Sequence, residues 1–382
     1  YSTYRADGFE SYYNLSGSGS TSTQAGFHAY KLGNPDSRWE TNTTTNIGVD
    51  FSILDYRFDA SVDVYTRKTT DMLYPDVKPD TWGALELSSV NVGEMRNSGI
   101  DLIMNYRSDI DSPLQYTISA NLSHYKNEVI RLNDNPDEIR FGNSLLNDTY
   151  TATTPGRPIS SFFGYIVDGY FNTQEEVDSH APYNPDVSGV DAYSRPGVFK
   201  YRDVNGDGVI DPDDRTFIGS PHPDLSYGLN MNFKYKNWDM TMFFQGVLGN
   251  DLVNFSSRTV LFNRFDGNYL KKRLYESWTP ERYQNGDRIT VPISLNDDSV
   301  MQRPSTFFVE DGSYFRMKNF ELGYSFSEKV LEKLGGLNRF RIYLQTTNLF
   351  TITNYSGIDP ETSSGDDRQI GVDSGLYPPS QI

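Results

Sequence analysis

Tyr227-Gly228-Leu229-Asn230-Met231-Asn232-Phe233-Lys234-Tyr235 is apolar at every second position. A Lys236-Asn237 turn follows, and Trp238-Asp239-Met240-Thr241-Met242-Phe243-Phe244-Gln245 resumes the alternation. A period of two sends successive side chains to opposite faces of a strand. The stretch therefore predicts a tight hairpin with one apolar and one mostly polar face. The pattern recurs outward from here. Ile47, Val49 and Phe51 meet Tyr56, Phe58, Ala60, Val62 and Val64 across a turn at 53–55. Ile100, Leu102, Met104 and Tyr106 face Tyr116, Ile118, Ala120 and Leu122 across 108–114. Phe320, Leu322, Tyr324 and Phe326 precede Phe340, Ile342 and Leu344. About eight long strands are expected, several exceeding the ~5–6 residues of ordinary globular strands.

The connections alternate as well. Those at 53–55, 108–114 and 236–237 are short, and 327–338 is of medium length, with one helical turn expected at 330–334. The others, 68–88, 132–224, 247–313 and 351–376, are long and rich in Asn, Asp, Gly, Pro and Tyr, with a short helix expected within 268–278. Short turns on one rim and long loops on the other are the signature of an outer-membrane barrel. The expected fold is all-β: a transmembrane antiparallel up-and-down β-barrel with short periplasmic turns and long extracellular loops. Tyr65, Tyr106, Tyr116, Tyr125, Tyr227, Tyr235, Trp238 and Phe350 sit where strands meet loops, the place of interfacial aromatic belts. Polar positions such as Arg57, Asp59, Asp63, Asn121, Asn230, Lys234, Arg339 and Arg341 are expected to keep a lumen wet.

Composition narrows the function. The 382 residues carry a net charge of −17, which argues against a nucleic-acid partner, since such binding needs a cationic face. The absence of Cys excludes disulfides and thiolate catalysis. No apolar run approaches the ~18 residues of a transmembrane helix. A mean hydropathy of −0.59 agrees with strands that are apolar only at alternate positions. Tyr1-Ser2-Thr3-Tyr4 is no signal peptide and reads as an internal start.

One local motif carries chemistry. Residues 203–214 read D-V-N-G-D-G-V-I-D-P-D-D. Asp203, Asn205, Asp207, the Val209 carbonyl, Asp211 and Asp214 fall at the ligand positions of a calcium loop, and Gly208 sits where such a loop turns sharply. The last position is Asp and not the longer Glu, and the flanks read as extended chain. A structural Ca²⁺ is expected there. Gly-x-Ser-x-Gly, His-Glu-x-x-His and phosphate-loop signatures are absent, so no enzyme is expected. Trp82, Tyr165, Tyr170, Tyr183 and Tyr193 lie in the long loops and are candidate substrate-binding aromatics.

Several stretches resemble the SusC/RagA family of TonB-dependent outer-membrane transporters of Bacteroidota. They are Leu32-Gly33-Asn34-Pro35-Asp36-Ser37-Arg38-Trp39-Glu40, the acidic loop beginning Tyr201-Arg202-Asp203, Ile218-Gly219-Ser220-Pro221-His222-Pro223-Asp224, and Ser277-Trp278-Thr279-Pro280-Glu281. Phe308-Val309-Glu310-Asp311-Gly312-Ser313-Tyr314-Phe315-Arg316-Met317-Lys318-Asn319 and Thr347-Asn348-Leu349-Phe350-Thr351, with Gly357-Ile358-Asp359-Pro360-Glu361, complete the series. The resemblance implies that residues 1–382 are the C-terminal part of one transporter barrel of roughly 22 strands. The plug domain and the final strand would lie outside this chain. It further implies import of an oligosaccharide or peptide nutrient across the outer membrane. The implied partners are a SusD-like surface lipoprotein acting as lid, and the TonB complex acting through the N-terminal part. The alternative of another class is a secreted, calcium-stabilised all-β carbohydrate-binding or adhesive protein, distinguished by its independence of detergent.

Overall fold

The computed structural model describes residues 8–15, 23–32, 34–75, 86–87, 89–133, 135, 137–146, 148–183, 194–262, 268–296, 298–333, 337–362 and 366–374. Eight strands form one antiparallel sheet: β1 Thr41–Ile53, β2 Phe58–Pro75, β3 Ser89–Arg107, β4 Leu114–Leu132, β5 Leu225–Tyr235, β6 Trp238–Leu248, β7 Tyr314–Ser325 and β8 Arg341–Thr353. Sheet order equals chain order, the up-and-down topology expected. The sheet is open among the described residues, with β1 and β8 as its edges. A separate small sheet holds Gly8–Leu15, Thr23–Leu32 and Glu86–Leu87.

Register turns the alternation of each strand into two continuous faces. Phe51, Ala60, Met104, Ala120, Leu229 and Phe244 stand side by side across six strands. The next apolar row runs Ile53, Phe58, Tyr106, Ile118, Met231, Met242 and Phe320. On the opposite face Ser52, Asp59, Asn105, Ser119 and Asn230 form the matching polar row. No second sheet covers the apolar face among the described residues: Ile47 and Leu344 remain 72% and 61% exposed. A soluble sandwich would bury that face against a partner sheet. An exposed apolar face backed by a charged one suits a wall between lipid and water.

Aromatic rings mark both margins of the apolar band. Beside the short turns, Tyr106–Tyr116, Tyr116–Phe233 and Trp238–Tyr324 approach at 5.9, 6.3 and 4.9 Å between ring centres. Beside the long loops, Phe315 stacks on Phe244 at 5.3 Å and lies 6.4 Å from Tyr227. Two residues expected in these belts are elsewhere. Tyr65 pairs with Asn46 and Gly99, and Tyr125 with Gly99, in register with the polar set. Each is one residue out of phase with an outward neighbour, Val64 or His124, and so projects to the polar face.

The expected helices form at Glu328–Lys333 and Lys271–Tyr275. The expected loop 68–88 is shorter than the sequence suggests, because β2 runs on to Pro75 and β3 begins at Ser89. Thr66-Arg67-Lys68-Thr69-Thr70 is polar on both faces, so these strand ends lose the alternation while keeping their ladder.

Candidate functional site

The long connections fold over the polar face and build a core of their own. Ser161–Gly164 pairs with Thr151–Thr153 and Thr216–Gly219, and Val167–Tyr170 pairs with Phe199–Tyr201. Asp251–Val253 pairs with Val309–Asp311. Phe162, Phe199, Tyr201, Met301 and Phe308 are fully buried in the resulting core. The domain is tied to the wall by polar contacts. Arg316, on the polar face of β7 and 5% exposed, donates to Glu361 at 2.7 Å and to the Thr351 hydroxyl at 2.8 Å, and it pairs with Asp359. The Ile159 N–H donates to Asn127 Oδ1 on β4 at 2.8 Å.

On the polar face, β1–β4 line an open recess of about 620 Å³. Tyr65 and Tyr125 give it aromatic faces, Asp63, Asp101 and Arg67 give it charge, and Asn46 and Asn97 give it amides. Its polar groups are held in place. Asn46 Nδ2 donates to Asp63 Oδ1 at 2.9 Å, Asn127 Nδ2 donates to Asn97 Oδ1 at 2.7 Å, and the Ser123 hydroxyl donates to Asp101 Oδ1. The two carboxylates keep Oδ2 as a further acceptor. Gly99 makes room for Tyr65, since a Cβ there would lie 2.7 Å from the tyrosine hydroxyl and 2.6 Å from the His124 carbonyl. Reading for long loops alone misses this recess. The signal that finds it is parity: Tyr65 and Tyr125 are aromatic at polar-face positions.

The structure redistributes the loop aromatics expected to bind substrate. Trp82 and Tyr193 lie outside the described residues. Tyr165 and Tyr183 are core residues, each 4% exposed, and this corrects their expected role. The Tyr183 hydroxyl donates to the Phe199 carbonyl, and the Tyr165 ring packs 5.1 Å from Tyr201. Tyr170 is half-buried and stacks on Phe199 at 5.8 Å. The physical reason is area: loops this long need large apolar rings to close a core of their own.

Residues 203–214 form a tight, exposed turn around a buried Asp214. Gly206 and Gly208 have φ of +77° and +85°, conformations that favour glycine. Asp203 accepts the Gly206 and Gly208 N–H groups at 2.6 and 2.9 Å. Asp207 accepts Val209 N–H at 2.9 Å, Asp211 accepts Asp213 N–H at 2.8 Å, and Asp214 accepts Val204 and Asp211 N–H at 2.8 Å each. Among the described residues no three acidic or imidazole groups converge as a cation-holding set. The arrangement is a loop closed by its own N–H groups and not a preformed cage.

His222 links loop domain and wall. Its Nε2–H donates to the Ile159 carbonyl at 2.9 Å, and Nδ1 accepts from the Tyr125 hydroxyl at 3.2 Å. Burial holds the imidazole below its usual pKa, opposed by the bond to Ile159. With a depressed folded pKa, the native state favours the neutral ring. That stability is present above the unfolded value of ~6.5 and is lost as pH falls below it. Amide protection factors across 155–165, with exchange corrected for its intrinsic pH dependence, should therefore fall below about pH 6, and His222→Gln should flatten the dependence. Wild-type protection factors that do not change between pH 8 and 5 would refute this.

The family follows from direct comparison. The model for the β-barrel of TonB-dependent receptor-like proteins matches residues 1–247. The chain belongs to the TonB-dependent receptor family. TonB-dependent receptor P3 of Formosa agariphila is 30% identical over 90% of this chain, and the aligned stretch covers 33% of that protein. TonB-dependent receptor SusC of Bacteroides thetaiotaomicron is 25% identical over 91% of this chain and 32% of its own length. The chain thus spans about a third of the curated relatives it matches. The solved RagAB peptide transporter superposes with a TM-score of 0.72 at 23% identity, covering 98% of this chain and 37% of that one. The eight-stranded sheet of this TonB-dependent receptor is accordingly a segment of barrel wall in the outer membrane. Its apolar face meets lipid, its polar face lines the lumen, and the secreted alternative is set aside.

Proposed function

We propose that the TonB-dependent receptor containing this chain imports an oligosaccharide or a peptide across the outer membrane. A SusD-like lipoprotein would act as lid, and the TonB complex would supply energy through sequence outside this chain. Support comes from the family and from relatives named SusC and RagAB peptide transporter. The carrying observation is the folded loop domain seated over a polar wall whose recess presents Tyr65, Tyr125, Asp63, Asp101 and Arg67. Aromatic faces stack on sugar rings and pack peptide side chains alike, and oriented carboxylates accept hydroxyls or amides. Transport needs no bond made or broken in the ligand, and no enzymatic role is proposed.

The test is uptake in the native host. Growth on one class of oligosaccharide or peptide should require this receptor, a functional TonB and a co-purifying surface lipoprotein. Tyr65→Ala with Asp101→Asn should lower the uptake rate about tenfold at limiting nutrient, the loss expected from one stacking face and one hydrogen bond. Uptake of every such nutrient at the wild-type rate in a TonB-deficient strain would overturn the proposal.

We also propose one structural Ca²⁺ at Asp203, Asn205, Asp207, the Val209 carbonyl, Asp211 and Asp214. Its support is composition and the two left-handed glycines, since so many carboxylates in one turn repel each other without a cation. Chelation, or Asp207→Ala, should expose residues 199–218 to limited proteolysis while the wall stays intact. Unchanged protection after chelation, with no calcium bound at millimolar concentration, would leave a plain hydrogen-bonded turn.

A further inference from the structure

The strands β2, β3 and β4 project past the lipid-facing band on the long-loop side, and the outward phase changes chemistry there. Val64, Ile100 and His124 form the last row of the continuous lipid-facing band. Thr66, Ser98 and Lys126 form the next row, followed by Lys68, Arg96 and Glu128. At 3.3–3.4 Å per residue these rows lie roughly 7 and 13 Å along the strands beyond Val64. With the usual tilt that is about 5 and 10 Å above the hydrocarbon. Headgroups occupy roughly that layer.

The charged groups are organised rather than scattered. Lys68 pairs with Glu94 at 2.8 Å, Arg96 with Glu128 at 2.9 Å, and Lys126 approaches Glu128 only to 3.9 Å. Three cations share two carboxylates, a local surplus of positive charge on a chain of net −17. The Lys126 side chain is 71% exposed, and those of Lys68 and Arg96 are about half exposed. The carboxylates fix the Lys68 ammonium and the Arg96 guanidinium through one contact each, which leaves further N–H donors facing outward. A solvated ladder of ion pairs has no reason to begin one row above a lipid-facing band and to stay in its phase.

We propose that Lys68, Arg96 and Lys126 form a docking site on the outer wall for the phosphate groups of an anionic glycolipid in the outer leaflet. The proposal rests on the lipid-facing assignment of the wall and is continuous with it. Arg96 offers a fork to phosphate oxygens, and the two lysines act as point charges. The site helps fix the height of the barrel in the membrane.

The test uses the full-length receptor in a neutral detergent and fluorescent diphosphoryl lipid A as probe. K68Q/R96Q/K126Q should weaken binding by at least tenfold. R195Q/K271Q/R288Q, an equal charge change in the loops, should alter it less than twofold. Dephosphorylated lipid A should bind wild type as weakly as the wall variant binds the phosphorylated probe, and inorganic phosphate should not compete. Heat-modifiable gel mobility reports folding separately, so a barrel that fails to form is distinguished from a lost site. Lys126→Gln alone, which removes only a 3.9 Å contact, should still weaken binding severalfold. Wild-type affinity in the wall variant, or an equal loss in the loop variant, would overturn the proposal.

Discussion

Arginine in place of Met231 should destabilise the folded wall by ~2–4 kcal/mol, the cost of a cation near the bilayer midplane. Met231 lies midway along β5 between Tyr227 and Tyr235, the two aromatic margins, and its row neighbours are Ile118 and Met242. No polar partner stands in that row within these three strands. Asn230→Arg, one residue away, enters the wet face beside Ser119 and Phe243 and should cost little. Urea titration in detergent micelles, read by heat-modifiable mobility, compares the two. Equal losses would mean that both faces meet the same surroundings.

Truncation of Phe308 should open the loop domain and leave the wall standing. Phe308 is fully buried, with Phe262, Phe307 and Tyr150 rings at 5.9, 5.2 and 6.5 Å. Phe308→Ala removes a ring that joins 149–151, 255–262 and 306–309, at a cost of ~3–5 kcal/mol for a core Phe. Loop stability that rests on this core should fall by that amount. Limited proteolysis should then cut within 133–224 and 249–313, while β1–β8 keep their heat-modifiable mobility. Uptake should fall with the loops, because the loop domain forms the mouth of the lumen in the proposed function. Loops as resistant as wild type would show that Phe308 is not central to their packing.

Period two made the wall legible. The hairpins around Leu54, Ser112 and Asn237 appear where alternation and turn residues place them, and register merely extends each face across the sheet. Alternation fails where both faces are wet, so the outer ends of β2 and β3 were hidden in an apparent loop. The loop domain was harder for a related reason. Its core is assembled from segments far apart in sequence, such as Tyr150, Phe199, Phe262 and Phe308, with no common period. Aromatics there read equally well as ligand faces or as core, and burial decided for Tyr165 and Tyr183. The lumen recess was within reach of sequence, since Tyr65 and Tyr125 stand at polar parity. Proximity to strand ends hides it, because rings there suit interfacial belts as well as a lumen.

One face of the eight-stranded sheet meets lipid and the other meets water. The chain has no Cys, so single cysteines introduced at 229–233 are the only label positions within it. In outer-membrane vesicles, labels at 229, 231 and 233 should be accessible to dissolved oxygen and shielded from a water-soluble nickel chelate. Labels at 230 and 232 should show the reverse. Labels at all five positions shielded from both reagents would place this strand in a dry core between sheets and contradict the barrel wall.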